Sequence, residues 1–119
     1  MRDKLPARRC SIAHDVDFRG SRFSVMVGYD RAGVVKEVFA DSENGGSAFA
    51  EVVRDACVLV SLLLQRGAVP SEIRNSLGRE PDPMRGEDAT RPASPIGLIV
   101  DVVELPLERV LAGIMEAAA

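Results

Sequence analysis

Gly45-Gly46-Ser47 opens an apolar run that ends in Ser61-Leu62-Leu63-Leu64-Gln65-Arg66-Gly67, and Ala68-Val69-Pro70 follows it. A serine before such a run caps the free backbone N–H groups at the start of a helix. A glycine after the run adopts the left-handed conformation that ends a helix, and a proline is favoured in the first turn of the next one. The sequence therefore predicts a central helix over residues 48–66, which forms the spine of the fold.

The two halves of this predicted helix differ in character. In the first half, one apolar stripe consists of Phe49, Val52, Val53, Ala56 and Val60, and charged residues lie outside it. The second half is apolar nearly all round. Because a single sheet covers one face of a helix, the second half is either wrapped by other elements or shared with another subunit.

Extended segments precede the helix. Residues 9–18 form the first, with a turn at Gly20-Ser21. Over residues 22–29 apolar and small or polar residues alternate, which is typical of a half-buried strand with Phe23, Val25 and Val27 on one face.

The third strand follows a hairpin loop at Asp30-Arg31-Ala32-Gly33. Over residues 34–40, the alternation places Val34 and Val38 on one face and Val35 on the other. We therefore expect a short antiparallel meander of about three strands.

Shorter elements are expected after the helix. Residues 71–77 form a short helix, and residues 79–92 are rich in proline, glycine and charge and are expected to form a mobile loop. Ser94-Pro95 is a strong helix start, and Pro106 breaks the helix that follows. Residues 107–119 form a terminal helix that docks in cis or pairs in trans.

The length of 119 residues suits one domain, over residues 1–119 with a core at about residues 2–105. We expect an α+β fold, in which a small antiparallel sheet packs on one face against the long central helix and a C-terminal helix. The net charge of −3 disfavours a general binder of the phosphate backbone, although Arg2, Lys4, Arg8 and Arg9 make the N-terminus locally basic.

Cys10 and Cys57 lie far apart, without the spacing of a zinc site or a disulfide framework. We therefore expect no metal site and two inert thiols in a reducing compartment. The charged N-terminus lacks the apolar core of a secretory signal, and no apolar stretch is long enough to span a membrane. A cytoplasmic protein without membrane contact is expected.

Seven short motifs occur in a recognisable order and spacing. They are Arg2-Asp3-Lys4-Leu5-Pro6-Ala7-Arg8-Arg9, Ser11-Ile12-Ala13-His14, Val27-Gly28-Tyr29-Asp30, Glu37-Val38-Phe39, Gly46-Ser47, Ser61-Leu62-Leu63-Leu64-Gln65-Arg66-Gly67 and Ser94-Pro95-Ile96-Gly97. This series resembles the TSCPD domain, which occurs at the C-terminal end of adenosylcobalamin-dependent ribonucleotide reductases and as small standalone proteins. The motif that names the family corresponds here to Ala93-Ser94-Pro95-Ile96-Gly97 and has no cysteine.

The resemblance implies an accessory role beside a ribonucleotide reductase chain. Radical reduction needs several cysteines and a cobalamin site, and two distant cysteines in a small domain do not provide them. The chain is therefore expected to have no catalytic residues of its own, and adenosylcobalamin belongs to the larger family enzyme. A homodimer is expected.

Three of the candidate contact residues lie near the N-terminus. Arg8 and Arg9 have the fork geometry that clamps phosphate or carboxylate, although surface arginines without such a role are common. His14 is the single histidine, and it serves either as a base or as an ordinary strand residue.

Three more candidates lie at the ends of the central helix. Gly46 and Ser47 either present backbone amides to an anion or form a tight turn into a helix cap. Gln65 contacts either a ligand or local backbone carbonyls. Nucleotide or nucleic-acid binding remains an alternative, because a hairpin followed by a helix is the broad layout of double-stranded RNA binders. A purely structural homodimer is a second alternative.

Overall fold

Three antiparallel strands form the main sheet in the computed structural model, which describes residues 10–43 and 45–118. They are β1 (Ser11–Phe18), β2 (Ser21–Tyr29) and β3 (Val35–Ser42), in the order β1-β2-β3. Phe23, Val25 and Val27 of β2 are buried, whereas Ser24 and Met26 are exposed. One face of the sheet is therefore covered, as the alternation predicts.

Two tight turns connect these strands. Arg19-Gly20 joins β1 to β2, one residue earlier than expected, and both residues have positive φ, which a two-residue hairpin turn favours. Between β2 and β3, the Asp30 carboxylate accepts hydrogen bonds from the N–H groups of Ala32 and Val34 at 2.9 and 3.0 Å. The predicted hairpin loop is therefore confirmed.

The faces of β3 differ from the prediction at its start. Gly28 pairs with Glu37 but Tyr29 pairs with Val35, so Lys36 is an extra residue in a β-bulge. The bulge turns Val35 into the core and leaves Val34 half exposed. The prediction that Val34 shares the face of Val38 is therefore wrong.

Four α-helices follow, and their ends carry the predicted signals. They are α1 (Ala48–Gln65), α2 (Pro70–Ser76), α3 (Pro95–Glu104) and α4 (Leu107–Ala118). The hydroxyls of Ser47 and Ser94 accept hydrogen bonds from backbone N–H groups three residues on, at 3.0 and 3.1 Å. Gly67 ends α1 with a φ of +98°, and Pro106 separates α3 from α4.

Residues 79–92 contain two short strands that the sequence does not indicate. β4 (Arg79–Pro81) and β5 (Thr90–Pro92) pair antiparallel around a 3₁₀ turn at Pro83–Arg85. The Arg79 side chain bonds the hydroxyl and the carbonyl of Thr90 and so ties the two strands together. The mobility of this segment stays a prediction.

Helices α1 and α3 cover the sheet. Helix α1 lies along β3, and α3 contacts β1, β5 and α2. Helix α4 has no buried residue, and only Leu107 and Val110 pack against the core. Within residues 10–43 and 45–118, no helix is long and apolar enough to cross a membrane.

Candidate functional site

The predicted binding residues do not lie together. Arg8 and Arg9 fall outside the described residues. His14 lies on β1, whereas Ser47 and Gln65 lie at opposite ends of α1. Eighteen helical residues span about 27 Å, so the two ends of α1 cannot contact the same small ligand.

His14 points to the covered face of the sheet. It pairs with the buried Val25 of β2 and is half-buried itself. Burial lowers the pKa of His14 below its ordinary value of 6.5. Its Nε2 atom is buried without a hydrogen-bond partner among the described residues, and this setting favours the neutral imidazole over the charged one. A role for His14 as a base stays a prediction.

Gly46 and Ser47 form the turn into α1. Gly46 has a φ of +92°, which favours glycine. The Ser47 hydroxyl accepts the N–H of Ala50, so the helix-cap interpretation is confirmed. An anion at this helix end stays a prediction.

Gln65 bonds the edge of the sheet. Its Nε2 donates to the Lys36 carbonyl at 3.1 Å, in the bulge of β3, while its Oε1 is buried without a partner among the described residues. Gln65 therefore bonds a backbone carbonyl, but that of Lys36 in β3 rather than a local one as expected.

Ser61 makes the same kind of contact one turn earlier and was not singled out from the sequence. Its hydroxyl accepts the Val38 N–H at 3.0 Å and lies within hydrogen-bond distance of the carbonyls of Val38 and Cys57. Because β3 is an edge strand, its outward-facing backbone groups need such partners. The signal in the sequence is a pair of polar residues four apart in an apolar helix.

The orientation of α1 leaves a second apolar stripe exposed. The buried face of the helix carries Ala50, Val53, Cys57, Val60 and Leu64 beside the two polar residues. Phe49 and Val52, which the sequence analysis placed on the stripe with Val53 and Val60, are exposed. For Val52 the prediction is wrong, because the contacts of Ser61 and Gln65 with β3 turn it away from the core, whereas the half-exposed ring of Phe49 still packs against the buried Phe23, with 5.9 Å between the ring centroids.

We define the α1 seam as Phe49, Val52, Ala56, Leu59 and Leu63. Four of these are exposed, with Val52 and Leu59 each 63% accessible, and Ala56 is partly buried. Their spacing of 3, 4, 3 and 4 residues is that of a helix that packs against another helix. The α1 seam is therefore the most distinctive surface of the chain.

Both thiols are free in the described part of the chain. Burial raises the pKa of Cys57 to about 11, with a further contribution from the charge of Asp41, whereas Cys10 is exposed. No cluster of three or more His, Cys, Asp or Glu residues is placed to hold a metal ion there.

Comparisons with protein-family models, curated proteins and solved structures give no match for this chain. The resemblance to the TSCPD domain therefore stays a prediction from the motifs.

Proposed function

We propose that the protein is a non-catalytic accessory module that assembles as a homodimer through the α1 seam. The observation that carries this proposal is a run of apolar side chains at coiled-coil spacing, of which Val52, Leu59 and Leu63 are exposed and Phe49 is partly covered by Phe23. Exposed apolar surface of this kind is typical of protein–protein contacts.

The occupant of the α1 seam is a second copy of the chain, because the seam is complementary to itself. When two copies of α1 pack antiparallel about a two-fold axis, Val52 faces Leu63 of the second copy and Ala56 faces Leu59. At each end, Phe49 faces Arg66, which allows a cation–π contact. Each layer thus pairs a smaller side chain with a larger one, as a two-fold interface requires.

The size of the α1 seam sets the expected affinity. A helix about 27 Å long and about 11 Å wide has a footprint of roughly 300 Å². A standard interface buries about 800 Å² on each partner. We therefore expect a weak, concentration-dependent dimer rather than an obligate one.

The motif series supports a place beside a ribonucleotide reductase chain in the cytoplasm. In this proposal the larger chain binds adenosylcobalamin and performs the radical chemistry, and the present chain supplies a docking module. Recovery of a reductase chain with tagged protein from its native cytoplasm tests this part. Recovery of the protein alone would contradict it and leave the homodimer standing.

Two matched substitutions test the homodimer. Leu59→Glu places a charge in the α1 seam, whereas Val58→Glu places the same charge on an exposed apolar position of the same helix outside the seam. Light scattering over a series of increasing concentrations should give an average mass that rises from the chain mass of 12.8 kDa toward twice that mass for the wild type and for Val58→Glu, and the single mass throughout for Leu59→Glu. A dimer that survives Leu59→Glu would overturn the proposal and favour another surface, such as Met26 and Phe39 on the open sheet face.

A further inference from the structure

A second surface of the chain is built from arginines. A cleft of about 660 Å³ lies between the β1–β2 turn, the β4–β5 hairpin and α3. We define the arginine cleft by the side chains Arg19, Arg74, Arg79, Arg85 and Arg91 that line it. Its volume is in the range of small-molecule sites.

The inner arginines of the cleft are structural. Arg79 bonds Thr90 and pairs with Asp101 at 3.3 Å, and its side chain is mostly buried. Arg74 pairs with the same Asp101 and more distantly with Glu104. These contacts fix α2, α3 and the β4–β5 hairpin around the floor of the cleft.

The outer arginines retain unused donors. Arg19 and Arg91 each donate one hydrogen bond, and both go to the same carboxylate oxygen of Glu80. The Arg85 side chain makes no hydrogen bond within the described residues, its closest carboxylate is Asp82 at 3.6 Å, and it is 83% exposed. A guanidinium has five N–H donors, so most donors at the rim are available to an anion.

The acidic residues in the cleft do not cancel this surplus. Asp101 is paired with the inner arginines, and Asp17 lies 3.7 Å from Arg22. Glu80 and Asp82 are left to face three outer guanidinium groups. The lining of the cleft carries five positive and four negative charges, on a chain whose net charge is −3.

Arg19 is held in place at a conformational cost. It is the single non-glycine residue with positive φ among the described residues, at 51°. Its guanidinium lies 4.9 Å from the ring centre of Phe18 and pairs with Glu80. The two-residue hairpin turn requires this conformation, and the contacts with Phe18 and Glu80 hold the side chain at the edge of the cleft.

We propose that the arginine cleft binds a small molecule through a diphosphate group, held by Arg19, Arg85 and Arg91. Guanidinium forks match phosphate oxygens in pairs, and the three come from separate backbone segments that converge on one space. Pro92 and Leu98 add an apolar wall for the organic part of the ligand.

Glu80 is the internal competitor for this anion. Its carboxylate takes the position between Arg19 and Arg91 that a phosphate would occupy. Hydrogen bonds from Arg19 and then Arg91 hold the pKa of Glu80 below its ordinary value, so the side chain stays charged near neutral pH. A dianionic group displaces it because it carries more charge and more acceptor oxygens.

Calorimetric titration with pyrophosphate and with ADP at about 0.15 M salt tests the proposal. Arg85→Gln should weaken binding of both probes about tenfold or more, because it removes charge-assisted hydrogen bonds. Arg31→Gln, on the exposed β2–β3 turn, is the matched control and should leave the affinity unchanged. Glu80→Gln removes the competitor and should strengthen binding about tenfold.

The outcomes separate the sources of the diphosphate. Tighter binding of ADP than of pyrophosphate supports an organic diphosphate, and pyrophosphate binding alone assigns the cleft to inorganic diphosphate. Equal affinities for Arg85→Gln and the wild type would overturn the proposal. The proposal would also be overturned if neither pyrophosphate nor ADP gives heat of binding at millimolar concentration. Because the Arg85 side chain makes no hydrogen bond in the described chain, the Arg85→Gln variant should keep the melting temperature of the wild type.

Discussion

At the scale of single residues, the buried polar groups of α1 belong to the fold. Ser61 and Gln65 satisfy outward-facing backbone groups of the edge strand β3. An edge strand without such cover is open to pairing with another chain. Ser61 and Gln65 thus determine which face of α1 lies on the sheet, although polar residues in an apolar helix look like site candidates.

Ser61→Ala tests this role. The substitution leaves the Val38 N–H and carbonyl buried without their side-chain partner, so we expect the free energy of unfolding to fall by about 1–3 kcal/mol. Ser24→Ala, on the exposed face of β2, is the control and should change it by less than about 0.5 kcal/mol. Chemical denaturation measures both. Equal losses for the two variants would contradict the role of Ser61.

His14 predicts a pH dependence of stability. Its pKa is lowered in the folded state, so the unfolded chain takes up the proton first as the pH falls through 6.5. The free energy of unfolding should therefore be largest above pH 6.5 and decrease from there until the folded-state pKa is reached.

His14→Leu isolates this effect, because every other group titrates in both proteins. Denaturant unfolding from about pH 7.5 to about pH 5 should show the variant gaining stability relative to the wild type as the pH falls. A constant difference between the two across that range would show that His14 does not titrate differently on folding.

At the scale of elements, the sequence predicts best where the signal is local. Five predicted features depend on backbone rules for a few adjacent residues, and the structure has each of them. They are the helix starts at Ser47 and Ser94, the helix end at Gly67, the break at Pro106 and the loop after Tyr29. The α+β fold with its three-stranded sheet followed from the same signals and the alternation in β2.

Choices between faces were not predictable in the same way. Helix α1 carries two apolar stripes, and only its contacts with β3 decide which one is buried. The bulge at Lys36 reverses the faces at the start of β3. The β4–β5 hairpin depends on side-chain bonds between Arg79 and Thr90 across eleven residues, which no local pattern indicates. The arginine cleft was missed for this reason.

Helix α4 gives a prediction of its own. A chain that ends after Val110 keeps the two residues that pack against the core and should lose less than about 1 kcal/mol of stability, since residues 111–118 are all exposed. A chain that ends after Leu105 also loses Leu107 and Val110 and should be less stable by a further 1–3 kcal/mol or so. Thermal denaturation compares the stability of the two shortened chains with that of the full chain. A large loss for the longer chain would show that the exposed face of α4 is covered in solution.

At the scale of the whole molecule, two surfaces of the described residues carry the proposals. The α1 seam is apolar and largely exposed, and the arginine cleft is a cationic space of small-molecule size. They share no residue, so a variant in one leaves the side chains of the other intact. The proposal of an accessory module that forms a homodimer and binds a diphosphate assigns a role to both surfaces.

The most direct measurement is disulfide formation across the α1 seam. In a Cys10→Ser background, Val52→Cys and Leu63→Cys together should give a covalent dimer on oxidation, because each cysteine faces the other type in the second copy. An intrachain bond is excluded, since eleven helical residues separate the two by about 16 Å. The control pair Val52→Cys and Val58→Cys should stay monomeric on a non-reducing gel. A monomer with the first pair, or equal dimer with the control pair, would contradict the antiparallel homodimer.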